Sequence, residues 1–244
     1  RSILFRGPTH LRESSGGRYE PIEALQRHQW AAFLRSLMVF REAKWMNHPA
    51  ATYLAENKPY QLATASKLGF HVPHSRIANH VPPNVAPESR SVAVKALDSF
   101  LLRLADTDAF FYTQIVEREE LCRGDLQSMP LIIQSPLEPK IDLRVTVVGS
   151  EVFAVAVTKN GRGIRGDWRL HKEKAEFPPH ELPSEVCAKC RNLVEALGLA
   201  FGAIDLALVN GEYYFIEINP TGEWAWLCDS KVPIDRAVVD WLAG

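Results

Sequence analysis

The stretch YFIEINPTGEWAWL, Tyr214 to Leu227, runs as an apolar strand into a turn near the end of a 244-residue chain. Side chains alternate between the faces of a strand, so Glu217 and Asn219 share one face, and Ile216 and Ile218 are expected on the other, toward the core. The preceding run GAIDLALV, Gly202 to Val209, places Asp205 inside an otherwise apolar strand. A buried carboxylate is tolerated only when it is paired, hydrogen-bonded or bound to a metal. Asn210-Gly211 joins the two runs as a hairpin signal. A two-residue loop would set Asp205 opposite Ile216, pointing away from Glu217. A three-residue loop over 210–212 with Gly211 left-handed, or a bulge of equal effect, sets Asp205 opposite Glu217 and Ala203 opposite Asn219. We expect the second register.

Opposed carboxylates repel unless a cation lies between them. One or two divalent ions, or an Arg or Lys partner, would satisfy Asp205 and Glu217, and the sequence leaves both open. Asp205, Glu217 and Asn219 offer hard oxygen donors, which suit Mg2+ or Mn2+ and not zinc. Magnesium with so few protein ligands keeps positions for nucleotide phosphates.

Composition narrows the field. Lys and Arg number 28 against 29 Asp and Glu, so bulk charge favours neither nucleic acid nor an anionic membrane as partner. With 46% hydrophobic and 23% charged residues the chain is of globular type. No apolar run is long enough to cross a bilayer, and no secretory leader opens the chain. Cys187 and Cys190 form a CxxC. With Val186, Leu193, Val194 and Leu197 they fall on the apolar stripe of a helix, and no second pair at ligand spacing completes a zinc site. Those two, Cys122 and Cys228 are expected as core thiols in a reducing, cytoplasmic setting.

Along the chain, Glu13–Pro21 reads as a flexible loop. Ile22, Leu25, Phe33, Leu34 and Leu37 recur at helical spacing from Pro21 to about Arg41. A second helix is expected from Asn57, an N-cap residue, to Leu68, with Gly69 ending it. The Pro-rich segment Asn79–Ser89 is a candidate domain seam. Strands follow (SVAVKAL, FFYTQIV, PLIIQSPL, DLRVTVVG, EVFAVAVTK), then a helix over Ser184–Leu197 and the closing hairpin. This order indicates an α+β fold with more than one sheet.

No P-loop motif is present. Gly161, Gly163 and Gly166 spell GxGxxG, but the residues after them lack an apolar helical stripe and include Pro178 and Pro179, which fits a basic glycine loop and not a dinucleotide site. Lys95 sits in an apolar strand, where it is paired, snorkels or reaches a phosphate. Asp142 and Arg144 share a strand face, as an ion pair or as part of a site. Trp224 and Trp226 offer either core packing or an aromatic surface for a peptide.

Taken together, KAL, IIQSPLEPKIDLRVTVVG, GDWRLH, AIDLAL and FIEINPTGEW resemble, in order and spacing, the ATP-grasp ligases. They are most similar to the branch holding the ribosomal-protein glutamate ligase and the maturases that cross-link graspetides such as microviridins. NKPYQLATASKLGFHVPHS resembles the segment leading into that family's central domain, so the likeness spans about 57–227. It implies an α+β ATP-grasp fold, two α+β subdomains gripping ATP between antiparallel sheets. Residues 1–80 would be a truncated N-terminal α/β domain with linking helices, 81–138 the central subdomain and 139–244 the C-terminal subdomain with the metal site.

The resemblance also implies roles. Lys58 and Lys95 contact the nucleotide phosphates, and the hinge residues Gln134, Ser135 and Leu137 receive adenine through backbone groups. Glu138 or Asp142 holds the ribose. Arg144 and Arg169 face the phosphates or the carboxylate being activated, and Asp205, Glu217 and Asn219 bind Mg2+ (two ions, with Mn2+ as substitute). Ser135 departs from the acidic residue the family carries at the hinge. The implied reaction is ATP-dependent ligation of a carboxylate to an amine or hydroxyl through an acyl phosphate, on a precursor peptide of leader plus core in ribosomal peptide (RiPP) biosynthesis. A small-molecule amino-acid ligase and a non-catalytic peptide-binding relative are the alternatives. No nucleic-acid or membrane partner is expected, and a homodimer is left open.

Overall fold

A computed structural model describes residues 1–7, 20–80, 82, 84–98, 101–103, 108–110, 112–123, 129–229 and 231–244. The loop expected over Glu13–Pro21 lies mostly outside these residues, as does the side chain of Cys122. Strands β1 (Ser2–Leu4) and β2 (Lys44–Met46) pair in parallel, joined through helix α1 (Pro21–Ser36). A 3-10 turn, Leu37–Val39, carries α1 close to its expected end. Ile22, Leu25, Trp30 and Phe33 of α1 remain exposed. Helices α2 (Pro49–Ala55) and α3 (Lys58–Lys67) follow. As expected, the Asn57 side chain caps α3 by accepting from the Tyr60 amide at 3.0 Å, and Gly69, at φ 79°, stops it.

The middle of the chain holds strands β3 (Ser75–Ala78), β4 (Ser91–Lys95), β5 (Leu101–Arg103), β6 (Asp108–Phe110) and β7 (Gln114–Glu117), helix α4 (Arg118–Arg123) and strand β8 (Leu131–Gln134). Four of these strands form an antiparallel sheet in the order β3-β8-β4-β7, and β5-β6 is a separate hairpin. The Pro-rich segment therefore connects two strands of one sheet instead of separating two bodies. Its Val85 is fully buried against Val92, Val94 and Leu131, which is why it cannot act as a loose seam.

The last part supplies β9 (Ile141–Val148), β10 (Glu151–Lys159), β11 (Arg162–Gly163), α5 (Ser184–Ala196), β12 (Phe201–Val209), β13 (Glu212–Asn219) and α6 (Ile234–Ala243). The sheet order is β11-β10-β9-β12-β13, with β9, β10, β12 and β13 pairing antiparallel throughout. One face of this sheet (Leu143, Val145, Ile204, Leu206, Ile218) packs on Cys190, Leu193 and Val194 of α5 and Ala65 of α3, forming the largest core. Cys190 is thus a core thiol, and burial, with Cys187 nearby, pushes it up to about 12.

The closing hairpin reaches the expected register by the second of the two routes. Asn210 (φ 51°) and Gly211 (φ 87°) form a two-residue turn with Val209 opposite Glu212. A bulge between Asp205 and Leu206 then skips Ile216, so Asp205 faces Glu217 and Ala203 faces Asn219. The expectation for Ile216 fails for the same reason. A bulge turns two successive side chains toward one side, so Ile216 lines the cleft beside Glu217 while Ile218 enters the core.

Strand β13 is an edge, and its free backbone is met by side chains. Gln61 of α3 donates to the Ile218 carbonyl (2.8 Å) and accepts from the Ile218 amide (3.0 Å). Asn47 donates to the carbonyls of Phe201 and Pro220 and accepts from the amides of Ala200 and Phe201, all within 2.9 Å. Gln61→Leu would leave both Ile218 groups buried without partners. It is expected to destabilise the fold by about 2–4 kcal/mol; a loss below about 1 kcal/mol in urea unfolding would show that these bonds contribute little.

Candidate active site

The polar face of the five-stranded sheet carries a row of charge. Arg144 on β9, Asp205 on β12 and Glu217 on β13 are direct cross-strand neighbours. Arg144 donates to Asp205 Oδ1 at 2.8 Å. A second cation comes from the 3-10 segment Trp168–Lys174, whose first turn is capped by Asp167. Its Arg169 donates to Asp205 Oδ2 at 2.6 Å, lies 3.5 Å from Glu217 Oε1 and pairs with Asp167 at 3.3 Å. Burial alone would raise the Asp205 pKa, but the two guanidiniums hold it down to about 2. Burial would likewise discharge Arg169, yet Asp205, Glu217 and Asp167 push its pKa upward. The cation expected between Asp205 and Glu217 is, in this structure, Arg169.

Gly222, in the turn after β13, answers to the same row. A Cβ there would lie 2.5 Å from Ala203 Cβ and 2.7 Å from Arg144 Nη2. Only a glycine lets the turn cross over the Arg144 guanidinium.

Above this face, between the two sheets, lies a cleft that opens to solvent. Ala93, Lys95 and Gln134 line it from the four-stranded sheet; Asp142, Asp205 and Glu217 line it from the five-stranded one. Burial pulls the Lys95 ammonium pKa down, with Glu217 pulling it back. In the hinge, the Ser135 amide is taken by the His74 carbonyl, and the Gln134 side chain donates to Ser75 Oγ at 2.8 Å. Pro136 has no N–H, which leaves the Leu137 amide as the hinge donor open to a ligand.

The glycine loop roofs the cleft. Glu138 accepts from the Gly166 amide at 2.9 Å, and Lys140 donates to the Gly166 carbonyl at 3.0 Å and to Asp142. Asp167 also accepts from the Thr113 amide at 3.2 Å, tying this roof to the segment before β7. Sequence reasoning gave no role to Asp167 and Lys140, although they lie inside the quoted GDWRLH and IIQSPLEPKIDLRVTVVG stretches.

Lys58 opens on an adjoining recess with Lys95, Lys172 and Asn219. Its ammonium donates to the Ala96 carbonyl at 3.0 Å and lies 3.9 Å from Glu217. Asn219 Oδ1 accepts from Thr221. Trp224 packs into a core cluster, whereas Trp226 is 37% exposed, meeting Phe177 edge to face at 4.8 Å with Lys172 over its ring. Among the described residues no group of three or more His, Cys, Asp or Glu side chains is placed to hold a metal. The donor set still fits magnesium. Asp205 and Glu217 oppose each other in register with a monocation already between them, and Asn219 adds a third hard oxygen on the same face.

No protein-family model matches the chain. No curated protein matches it in sequence either. Solved structures do. A Chryseobacterium gregarium RiPP-associated ATP-grasp ligase, in complex with ADP and a leader and core peptide, superimposes with a TM-score of 0.80 at 27% identity, over 99% of this chain and 76% of that one. The macrocyclase MdnB from Microcystis aeruginosa gives 0.70 at 29% identity, over 94% and 73%. MdnC from the same organism, bound with precursor peptide MdnA, gives 0.79 at 23% identity, over 99% and 77%. The chain has the ATP-grasp fold.

Within the ATP-grasp frame, the structure brings eleven of the twelve sequence-nominated residues to one continuous cleft and its adjoining recess; Arg144 lies beneath its floor, on Asp205. Gly222→Ala is expected to displace Arg144 from Asp205 and to cost about 1–3 kcal/mol by overpacking. Unchanged urea unfolding together with unchanged nucleotide affinity would contradict that placement.

Proposed function

We propose that this chain is an ATP-dependent ligase that activates a carboxylate of a ribosomally made precursor peptide and joins it to an amine or hydroxyl of the same peptide. The observation that carries the reading is the convergence of Arg169 and Lys95 on the carboxylates Asp205 and Glu217 in a cleft between two antiparallel sheets, with Arg144 supporting Asp205 from beneath. Such a site is built to gather anions, and phosphoryl transfer asks mainly for positioning and charge neutralisation. The leader and core peptide held by the Chryseobacterium ligase supports a peptide substrate here.

In this reading adenine lies against the hinge and meets the Leu137 amide, and Asp142 or Glu138 holds the ribose. Lys95 and Lys58 orient the phosphates. Asp205, Glu217 and Asn219 would hold Mg2+, which when bound offsets phosphate charge. Arg169 receives the substrate carboxylate, and Arg144, beneath the floor, holds Asp205 charged and in place from below. A carboxylate oxygen attacks the γ-phosphorus, the bond to the β,γ-bridging oxygen breaks, and ADP leaves. The amine or hydroxyl then attacks the acyl carbon, releasing phosphate and a proton. The roof at Gly166–Arg169 keeps water from the acyl phosphate meanwhile. The free Cys187, Cys190 and Cys228 suit a cytoplasmic enzyme.

ADP release that requires magnesium and a precursor peptide is the expected behaviour, lowered by roughly a hundredfold or more in Glu217→Gln and Asp205→Asn. Wild-type turnover in both variants would overturn the assignment, and peptide binding without any ADP release would support a docking module instead.

Acidity supplies a second check. Burial, opposed by Lys140, pushes the Asp142 carboxyl up to about 6. It is ionised above that pH and accepts ribose hydroxyls best there. Nucleotide affinity is therefore expected to fall as pH drops through about 6, and Asp142→Asn should flatten the profile. A pH profile identical in Asp142→Asn and wild type would remove Asp142 from the nucleotide site.

A further inference from the structure

The glycine loop carries more positive charge than the cleft uses. Lys159–Lys174 holds six Lys or Arg against two acids, in a chain whose totals nearly cancel, so the excess is local. Arg169 belongs to the charge row and Lys172 stacks on Trp226. Lys174 lines neither the cleft nor the groove beside it; Lys159, Arg162 and Arg165 remain, and His171 joins them. All are exposed, and together with Asn160 they line a groove outside the cleft that no carboxylate lines. Among the described residues none of the four makes an ion pair or hydrogen bond through its side chain.

Folding does not account for this arrangement. Lys159 and Arg162 are direct cross-strand partners across the tight turn at Asn160 and Gly161. Like charges so placed repel and weaken a hairpin. The hairpin is nonetheless held firmly. A Cβ on Gly163 would lie 1.8 Å from the Lys140 carbonyl oxygen, and Ile164 is buried against Val157 and Trp168. A rigid, repulsive cluster of cations without counter-charge is relieved by an external anion.

We propose that this groove docks a carboxylate-rich stretch of the peptide substrate, lying outside the residue being activated. The proposal rests on the peptide-ligase reading above. The groove is continuous along the chain with the cleft roof, from Arg165 through Gly166 and Asp167 to Arg169 and Lys172. The groove thus lies on the chain segment that also supplies Arg169 to the charge row. An extended anionic segment also matches cations spread along a hairpin better than a compact phosphate does.

The test uses fluorescein-labelled decaglutamate, read by anisotropy at low salt against decaglutamine, with Arg162→Glu/Arg165→Glu and Lys159→Gln variants. Preferential binding of decaglutamate, weakened about tenfold in the double charge reversal and by added salt, is the expected result. ADP affinity and thermal unfolding should match wild type, showing the fold and cleft intact. Equal binding of the two peptides, or binding unaffected by the double reversal, overturns the proposal. So does equal competition by inorganic triphosphate or single-stranded DNA of similar charge, which would mark an unspecific anion patch. Failure of ADP release with intact decaglutamate binding would count against the ligase reading alone.

Discussion

Asp205 is a carboxylate sealed inside a β-sheet, and the structure around it is arranged to keep it charged. Arg144 comes from the strand on one side, Arg169 from a capped turn above, and Glu217 faces it from the other side. Taking an unpaired carboxylate out of water costs several kcal/mol, so each neighbour is constrained in turn. The bulge brings Glu217 into line, Gly222 makes room for Arg144, and Asp167 holds Arg169 over the row. The result is a compact set of alternating charges, with Lys95 and Lys58 beside it.

The rest of the fold steadies that set. An edge strand with free backbone groups is a poor base for a site, because it can fray or pair with another chain. Here the amides of Asn47 and Gln61 hold the open end of the closing hairpin, at Phe201, Ile218 and Pro220, and the His71 carbonyl accepts from the Phe215 amide farther along the edge. The two sheets meet through hydrogen bonds that run via the glycine loop, from Glu138 and Lys140 to Gly166 and from Asp167 to Thr113. The roof is thereby coupled to both halves of the grip, a sensible arrangement where a hydrolysable intermediate has to be kept dry.

One solved ligase that shares this architecture, from Chryseobacterium gregarium, holds ADP together with a leader and core peptide. Under the proposed function the cleft takes a nucleotide and one carboxylate, and peptide selection would come from surfaces around it. The exposed Trp226 with Lys172, and the basic hairpin, are two such surfaces outside the charge row.

Much of this was legible in the residues. Period-two alternation in FIEIN put Glu217 and Asn219 on one face, Asn57 and Gly69 marked the limits of α3, and the apolar stripe through Cys190 identified α5 as a core helix. These are local signals, set by the geometry of a single strand or helix. Local signals could not choose between a longer loop and a bulge, place Ile216 in the cleft, or show that Pro-rich Asn79–Ser89 lies within one sheet with Val85 in its core. Nor could they show that the cation between the two acids is an arginine 36 residues from one of them in sequence. Such choices depend on which strands become neighbours and what each buried charge finds across the gap, and only packing the whole chain settles them.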